Sequence, residues 1–191
     1  MTSFSQDWFS HNIEGIEACL KPINKINNIL EIGSFEGKSS CYWLKNVLPD
    51  NGVLHCVDNF GGSLEHTHFD FKKVKSRFEE NTAESKKPNQ SVFLHEKSSV
   101  EALAELICKK ELFDLIYVDG SHTSADTLSD AIMSWNLLRV GGLMIFDDYL
   151  WEMHTAPFNS PKWGIDTFVT MFCPKLTVLM HSYQVAVIKT N

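Results

Sequence analysis

Several apolar runs in this chain end in acids, and an acid at the end of a buried run needs a reason. In "FDLIYVDGSH" (113–122), Phe113, Leu115, Ile116, Tyr117 and Val118 read as a buried strand, and Asp119, Gly120, Ser121 and His122 follow with no gap. A carboxylate with an imidazole three residues on is suited to general acid–base or metal chemistry. A second run, "GGLMIFDD" (141–148), ends in Asp147-Asp148. If these two strands are neighbours, three carboxylates crowd together and raise one another's pKa unless something positive lies between them. A divalent cation is the simplest partner, and oxygen donors suit Mg2+, Mn2+ or Ca2+ better than zinc.

A third stretch, "EIGSFEGKSS" (31–40), leaves an apolar run and opens a helical one. Gly33 and Gly37 permit a tight turn and a close backbone approach to a ligand. The helix start offers free N–H groups, and Ser39 and Ser40 add hydroxyl donors. A dinucleotide fingerprint needs G-x-G-x-x-G, whose middle glycine is missing, and Gly33 lies one residue too close to Gly37-Lys38-Ser39 for a Walker loop. Glu31 disfavours phosphate and suits an ammonium or sulfonium ligand.

The elements that must position these residues alternate. Strand-like runs at 27–33, 52–58, 91–96, 112–119 and 141–148 are separated by helical patterns at 38–48, about 69–83, 99–110 and 123–138. The spacing predicts a leading amphipathic helix over 4–20, a helix near 164–173, and strands 176–182 and 183–190 joined by a very tight hairpin. This alternation predicts an α/β fold, a doubly wound and mostly parallel sheet, as one domain over 1–191. In such sheets ligands sit at the carboxyl ends of the strands. Those ends carry Glu31/Gly33, Asp58, Glu96/Ser98, Asp119/His122 and Asp147/Asp148. An Asp at a strand end is also a common cap or turn former.

Glu31-Ile32-Gly33 to Gly37 resembles motif I of the class I S-adenosylmethionine (SAM)-dependent methyltransferases, with their Rossmann-like, seven-stranded sheet and antiparallel C-terminal strand. Asp58 matches the family's ribose-binding acid, Ser98 and Ser99 its adenine-side loop, and "RVGGLMIFDD" (139–148) its turn before strand five, with Val140 in place of a proline. "YVDGSHTSADTLSDAIMSWNLLRVGGLMIFDDY" resembles more narrowly the small metal-dependent O-methyltransferases, the family 24-like group with its macrolide-sugar and catechol types. "VDNFGGSLEH" (57–66) is similar to that group as well.

The resemblance implies SAM held by Glu31, Gly33, Ser34, Phe35, Gly37, Ser39, Asp58, Asn59, Ser98, Ser99 and Asp119. It implies Mg2+ (or Mn2+ or Ca2+) on Asp119, Asp147 and Asp148, and His122 as the base beside Asp119. The acceptor would be a small hydroxylated molecule: a sugar, a catechol-like phenol or a secondary metabolite. Alternatives are a metal-independent methyltransferase, with the aspartates only capping helices, and a non-catalytic SAM-binding protein. A dinucleotide oxidoreductase is disfavoured by the missing glycine. His66 and His68 form an H-T-H on a polar stretch, and His154, Trp151 and Trp163 flank an irregular segment, 154–164, that would make a lid.

Composition narrows the classes. The net charge of −7 and pI of about 5.6 argue against nucleic-acid and anionic-membrane partners. The start "MTSFSQDWFS" lacks a signal-peptide pattern, and no run reaches the length of a spanning helix. The 5 cysteines are scattered and lack CxxC spacing. These features predict reduced thiols and a cytoplasmic location. Little sequence precedes the first strand to build an acceptor cap, and a homodimer would supply a missing wall.

Overall fold

The computed structural model describes residues 2–62, 68–151 and 157–191. Seven strands form one sheet: β1 (Asn28–Ile32), β2 (Val53–Val57), β3 (Ser91–His95), β4 (Phe113–Val118), β5 (Leu138–Phe146), β6 (Leu176–His181) and β7 (Val185–Lys189). Their order is β3-β2-β1-β4-β5-β7-β6. The first five are parallel, and β7 runs antiparallel to both β5 and β6. The order reverses between β1 and β4, so the ends of those strands open a crevice in which a ligand can sit.

Among the described residues, six α-helices cover the sheet: α1 (Ile13–Leu20), α2 (Lys38–Tyr42), α3 (Phe71–Ser85), α4 (Ser99–Cys108), α5 (Ser124–Leu137) and α6 (Pro161–Phe172). Two buried clusters lie on its two faces. Phe113, Ile116 and Val118 of β4 join one, with Trp135 and Phe168; Leu115 and Tyr117 join the other, with Trp43 and Phe78. β4 is buried along its whole length, which is why it reads as an apolar run, interrupted by Asp114, whose carboxylate accepts from the Asn27 and Asn28 N–H groups and pairs with Arg139. The edge strands β3 and β6 are only partly buried.

Two elements differ from the sequence expectation. The leading helix does not begin at residue 4: a short 3-10 turn spans Ser10–Asn12 and α1 follows. Residues 3–8 are held outside the helix by partners elsewhere. Ser3 exchanges hydrogen bonds with the Asn81 side chain, Ser5 donates to Glu36, and Asp7 pairs with Lys38 at 2.6 Å. The helix after the glycine turn changes to a π-helix over Trp43–Val47. The Gln90 amide donates to the carbonyls of Leu44, Leu48 and Pro49, satisfying groups its end would orphan.

A histidine pair bridges β2 and β3, with His55 Nδ1 3.0 Å from His95 Nε2. Burial, with His95 and Lys109 nearby, holds His55 down at about 4 from 6.5. Burial and Lys109 also lower His95. Folding therefore favours the neutral rings. Their contribution to stability is complete above pH 6.5 and is lost as the pH falls through about 4. For His55 it amounts to at most about 3 kcal/mol. Urea unfolding at pH 7 and pH 4.5 should show a steeper acid loss in the wild type than in His55→Gln; parallel losses would contradict this.

Candidate active site

The glycine turn is built from β1 outward. Gly33 adopts φ +83°, and a Cβ there would lie 1.8 Å from the backbone oxygen of Asp119. Only glycine lets the end of β1 pass this close to the end of β4. Asp58, just beyond β2, then ties the turn down. Its carboxylate accepts from the backbone N–H groups of Ser34, Phe35 and Phe60. Gly37, at φ +79°, caps α2.

A cavity of about 1140 Å³ lies over these strand ends. Gly33, Ser34, Phe35 and Ser39 line it from the turn, and Asp58 and Asn59 from the end of β2. Ser98 and Ser99 line it from the start of α4, where Ser98 and Glu101 form a capping box. Gly37 is not in the wall; it packs under the turn, against Phe78. Glu31 also departs from the expected position. Its carboxylate turns into the protein, fully buried, and accepts from Ser34, Ser40 and Trp43. Burial raises its pKa, against the lowering effect of these donors.

The opposite wall is the acidic corner. Ligand atoms of Asp119, His122 and Asp148 lie within 4.8 Å of one another. His122 Nε2 is 3.0 Å from Asp148 Oδ2, and the Tyr183 hydroxyl donates to Asp148 Oδ1 at 2.7 Å. Trp151 lies against the His122 ring, centroid to centroid 4.4 Å. Asp148 takes φ +56°, a left-handed conformation, so its side chain leaves the strand on a different course from that of Asp147.

Asp147 lines the cavity but is not in that three-residue group. Its carboxylate is enclosed by the Asn12 amide, 3.1 Å from both oxygens, by the Tyr117 hydroxyl and by the Asp148 N–H. Burial and the neighbouring acids push Asp119 well above the usual carboxylate range. Burial and Asp148 push Asp147 up to about 6. Burial would raise Asp148 too, but hydrogen bonds from His122 and Tyr183 outweigh it and hold Asp148 low.

Phe4, Trp8 and Phe9 line the cavity from the N-terminal segment. Trp8 packs on Phe35 at 5.1 Å and on Phe69 at 5.9 Å. Residues 4–11 thus contribute part of the cavity wall. Asn12, Tyr117 and Tyr183 were missed by sequence reasoning, since each reaches Asp147 or Asp148 from a distant part of the chain. The polar Tyr183-Gln184 pair between two apolar strands was the one available signal. His66 and His154 lie outside the described residues. His68 is exposed and joins no metal-capable group among the described residues.

Residues 30–149 match the sequence family described as a methyltransferase domain. The chain belongs to that methyltransferase family. No significant match is found among curated protein sequences. Solved structures share the methyltransferase's fold at low identity. The O-methyltransferase from Bacillus cereus, solved in complex with SAH, is 20% identical with a TM-score of 0.67, over 97% of this chain and 84% of that one. TomG of Streptomyces achromogenes, an O-methyltransferase of tomaymycin synthesis solved with SAM, is 19% identical with a TM-score of 0.67, over 96% and 82%. The O-methyltransferase NovP is 16% identical with a TM-score of 0.67, over 94% and 80%. Among the described residues, no helix of this methyltransferase is long and apolar enough to cross a membrane.

Proposed function

We propose that this chain is a single-domain, cytoplasmic O-methyltransferase that moves the methyl group of SAM to a hydroxyl of a small molecule, with help from a divalent cation. The observation that carries this reading is the shared cavity. The glycine turn touches the backbone of Asp119, and Asp119 stands with His122 and Asp148 in one corner. A cofactor on the turn and an acceptor in the corner would therefore be neighbours.

The corner fits a cation. Two carboxylates and an imidazole face one another, and Asp119 and Asp147 are raised by burial and by the neighbouring acids, a cost that a bound cation would relieve. Asp119 and Asp148 would hold Mg2+, Mn2+ or Ca2+, with Asp147 behind them, clamped by Asn12 and Tyr117. When bound, such a cation supplies charge that favours the deprotonated acceptor hydroxyl. His122, whose Nε2 faces Asp148 Oδ2 at 3.0 Å, takes the acceptor's proton. Ser34 and Ser39 on the turn, Asp58, and the Ser98–Ser99 pair give SAM its polar contacts. Trp8, Phe9 and Trp151 exclude water. The protein's contribution is chiefly positioning and charge control.

Calorimetry tests both parts. SAM should bind with micromolar affinity in EDTA, and in Asp147→Ala/Asp148→Ala as well. A separate heat from Mg2+ should appear in the wild type and vanish in that variant. Absence of any SAM heat would remove the methyltransfer reading from this cavity. One observation favours a second reading: His122 and Asp148, at 3.0 Å, already form a base and its orienting carboxylate. Turnover of a vicinal diol that survives EDTA would select the metal-independent version.

A further inference from the structure

We propose that residues 3–8 form a strap that opens to let SAM in and SAH out, with Glu36 of the glycine turn as its latch. This rests on the reading that SAM occupies the cavity described above. The stretch "SFSQDWF" (3–9) alternates with the period of an extended chain. Phe4, Gln6 and Trp8 line the cavity. Ser3, Ser5 and Asp7, which alternate with them, are fastened to the protein: Ser3 to Asn81, Ser5 to Glu36 and Asp7 to Lys38. One side of the strap therefore faces the ligand space and the other carries its ties.

These ties land on the cofactor side. Glu36 lies within the turn itself, its side chain only 2% exposed. It accepts from the Ser5 N–H at 2.5 Å and from the Ser5 hydroxyl at 2.9 Å. Asn81 of α3 bonds Ser3 in both directions and also donates to the Glu36 carbonyl. Lys38, the first residue of α2, pairs with Asp7 and lies over the Phe4 ring. Trp8 packs on Phe35 of the same turn. Just past the strap the chain is anchored. Phe9 is buried against Tyr42, Trp43 and Tyr117, and Asn12 is buried on Asp147. That anchor gives residues 3–8 a fixed end about which to swing.

The latch can release without disrupting the turn. Glu36 also accepts from Arg77 of α3, so its carboxylate keeps a charged partner when Ser5 leaves. A buried carboxylate stripped of every donor would make opening far too costly. The remaining ties are of the weak kind. Asp7 and Lys38 form a part-exposed ion pair, and Ser3, Ser5, Asp7 and Trp8 are all exposed. Segments that cover a binding site and open are drawn from such loosely held parts of a fold.

The test follows SAH entry and exit by stopped-flow in the full chain, comparing the wild type with Glu36→Gln and Ser5→Pro. Glutamine weakens the charged hydrogen bonds, and proline removes both donors of Ser5. In each variant SAH should leave about 10-fold faster, the loss for hydrogen bonds to a charged group. It should also enter about threefold faster, because a strap that must open limits traffic in both directions. Affinity then falls by less than the exit rate rises. An unchanged exit rate in Ser5→Pro overturns the proposal. So does faster exit with unchanged entry, which would mark residues 3–8 as a fixed wall. A wild type that binds no SAH overturns the cofactor reading along with it. If Glu36→Gln does not fold, Ser5→Pro decides the matter, since Ser5 is exposed and lies outside every helix and strand.

Discussion

His122→Asn should lower kcat by about 10²- to 10⁴-fold, the usual range for a general base, while SAM affinity stays within about threefold. The separation follows from where His122 stands. It faces Asp148 and Trp151 and is not among the groups that bond to the glycine turn or to Asp58. Asparagine keeps a polar group of modest size beside Asp148, which also keeps its bond from Tyr183. Single-turnover rates and calorimetric SAM titrations measure the two effects independently. Unchanged turnover would eliminate His122 as the base. Equal losses in binding and turnover would mark it as a structural residue of the cavity.

Gly33→Ala should be among the most damaging single substitutions in the chain. The new Cβ would sit 1.8 Å from the Asp119 oxygen and 2.5 Å from its carbonyl carbon. Neither can retreat, because β1 and β4 are locked side by side from Ile29↔Leu115 to Ile32↔Val118. The Gly33 N–H is also fixed to the Val57 carbonyl at 2.9 Å. We expect a loss of about 3 kcal/mol or more, since overpacking adds to the left-handed backbone strain. SAM binding should fall with it. Gly141→Ala provides the control: its φ is also positive, +81°, but nothing lies within 4 Å. It should show the backbone term alone, about 1–2 kcal/mol. Urea unfolding of the two variants separates steric from conformational cost, and equal losses would refute the steric argument.

The fold and the cavity floor were legible because their signals are local. The strand runs, the turn glycines and the acids that close the strands each occupy a few consecutive residues. The site's interior was less legible. Glu31 reads as a ligand group from its place in the motif, yet its fate is set by Ser40 and Trp43, which the following helix turns back toward it. Asp147 and Asp148 look equivalent in sequence. They part because one is enclosed by Asn12 and Tyr117 and the other, at φ +56°, is presented to His122. The N-terminal segment misled for a related reason. Its pattern suits a helix, but Glu36, Asn81 and Lys38 give residues 3–7 better partners across the cavity mouth.

The placement of β7 bears on how the enzyme comes to life as it is made. This strand is the last of the sheet to be synthesised, yet it lies between β5 and β6 rather than at an edge. Until it arrives, β5 presents an unpaired flank and β6 has no neighbour within the sheet. The turn just before it also delivers Tyr183 to Asp148 and Gln184 to Tyr117. A nascent or clipped chain lacking β7 would therefore be inactive and prone to stick to its own kind, even with the whole glycine turn already formed.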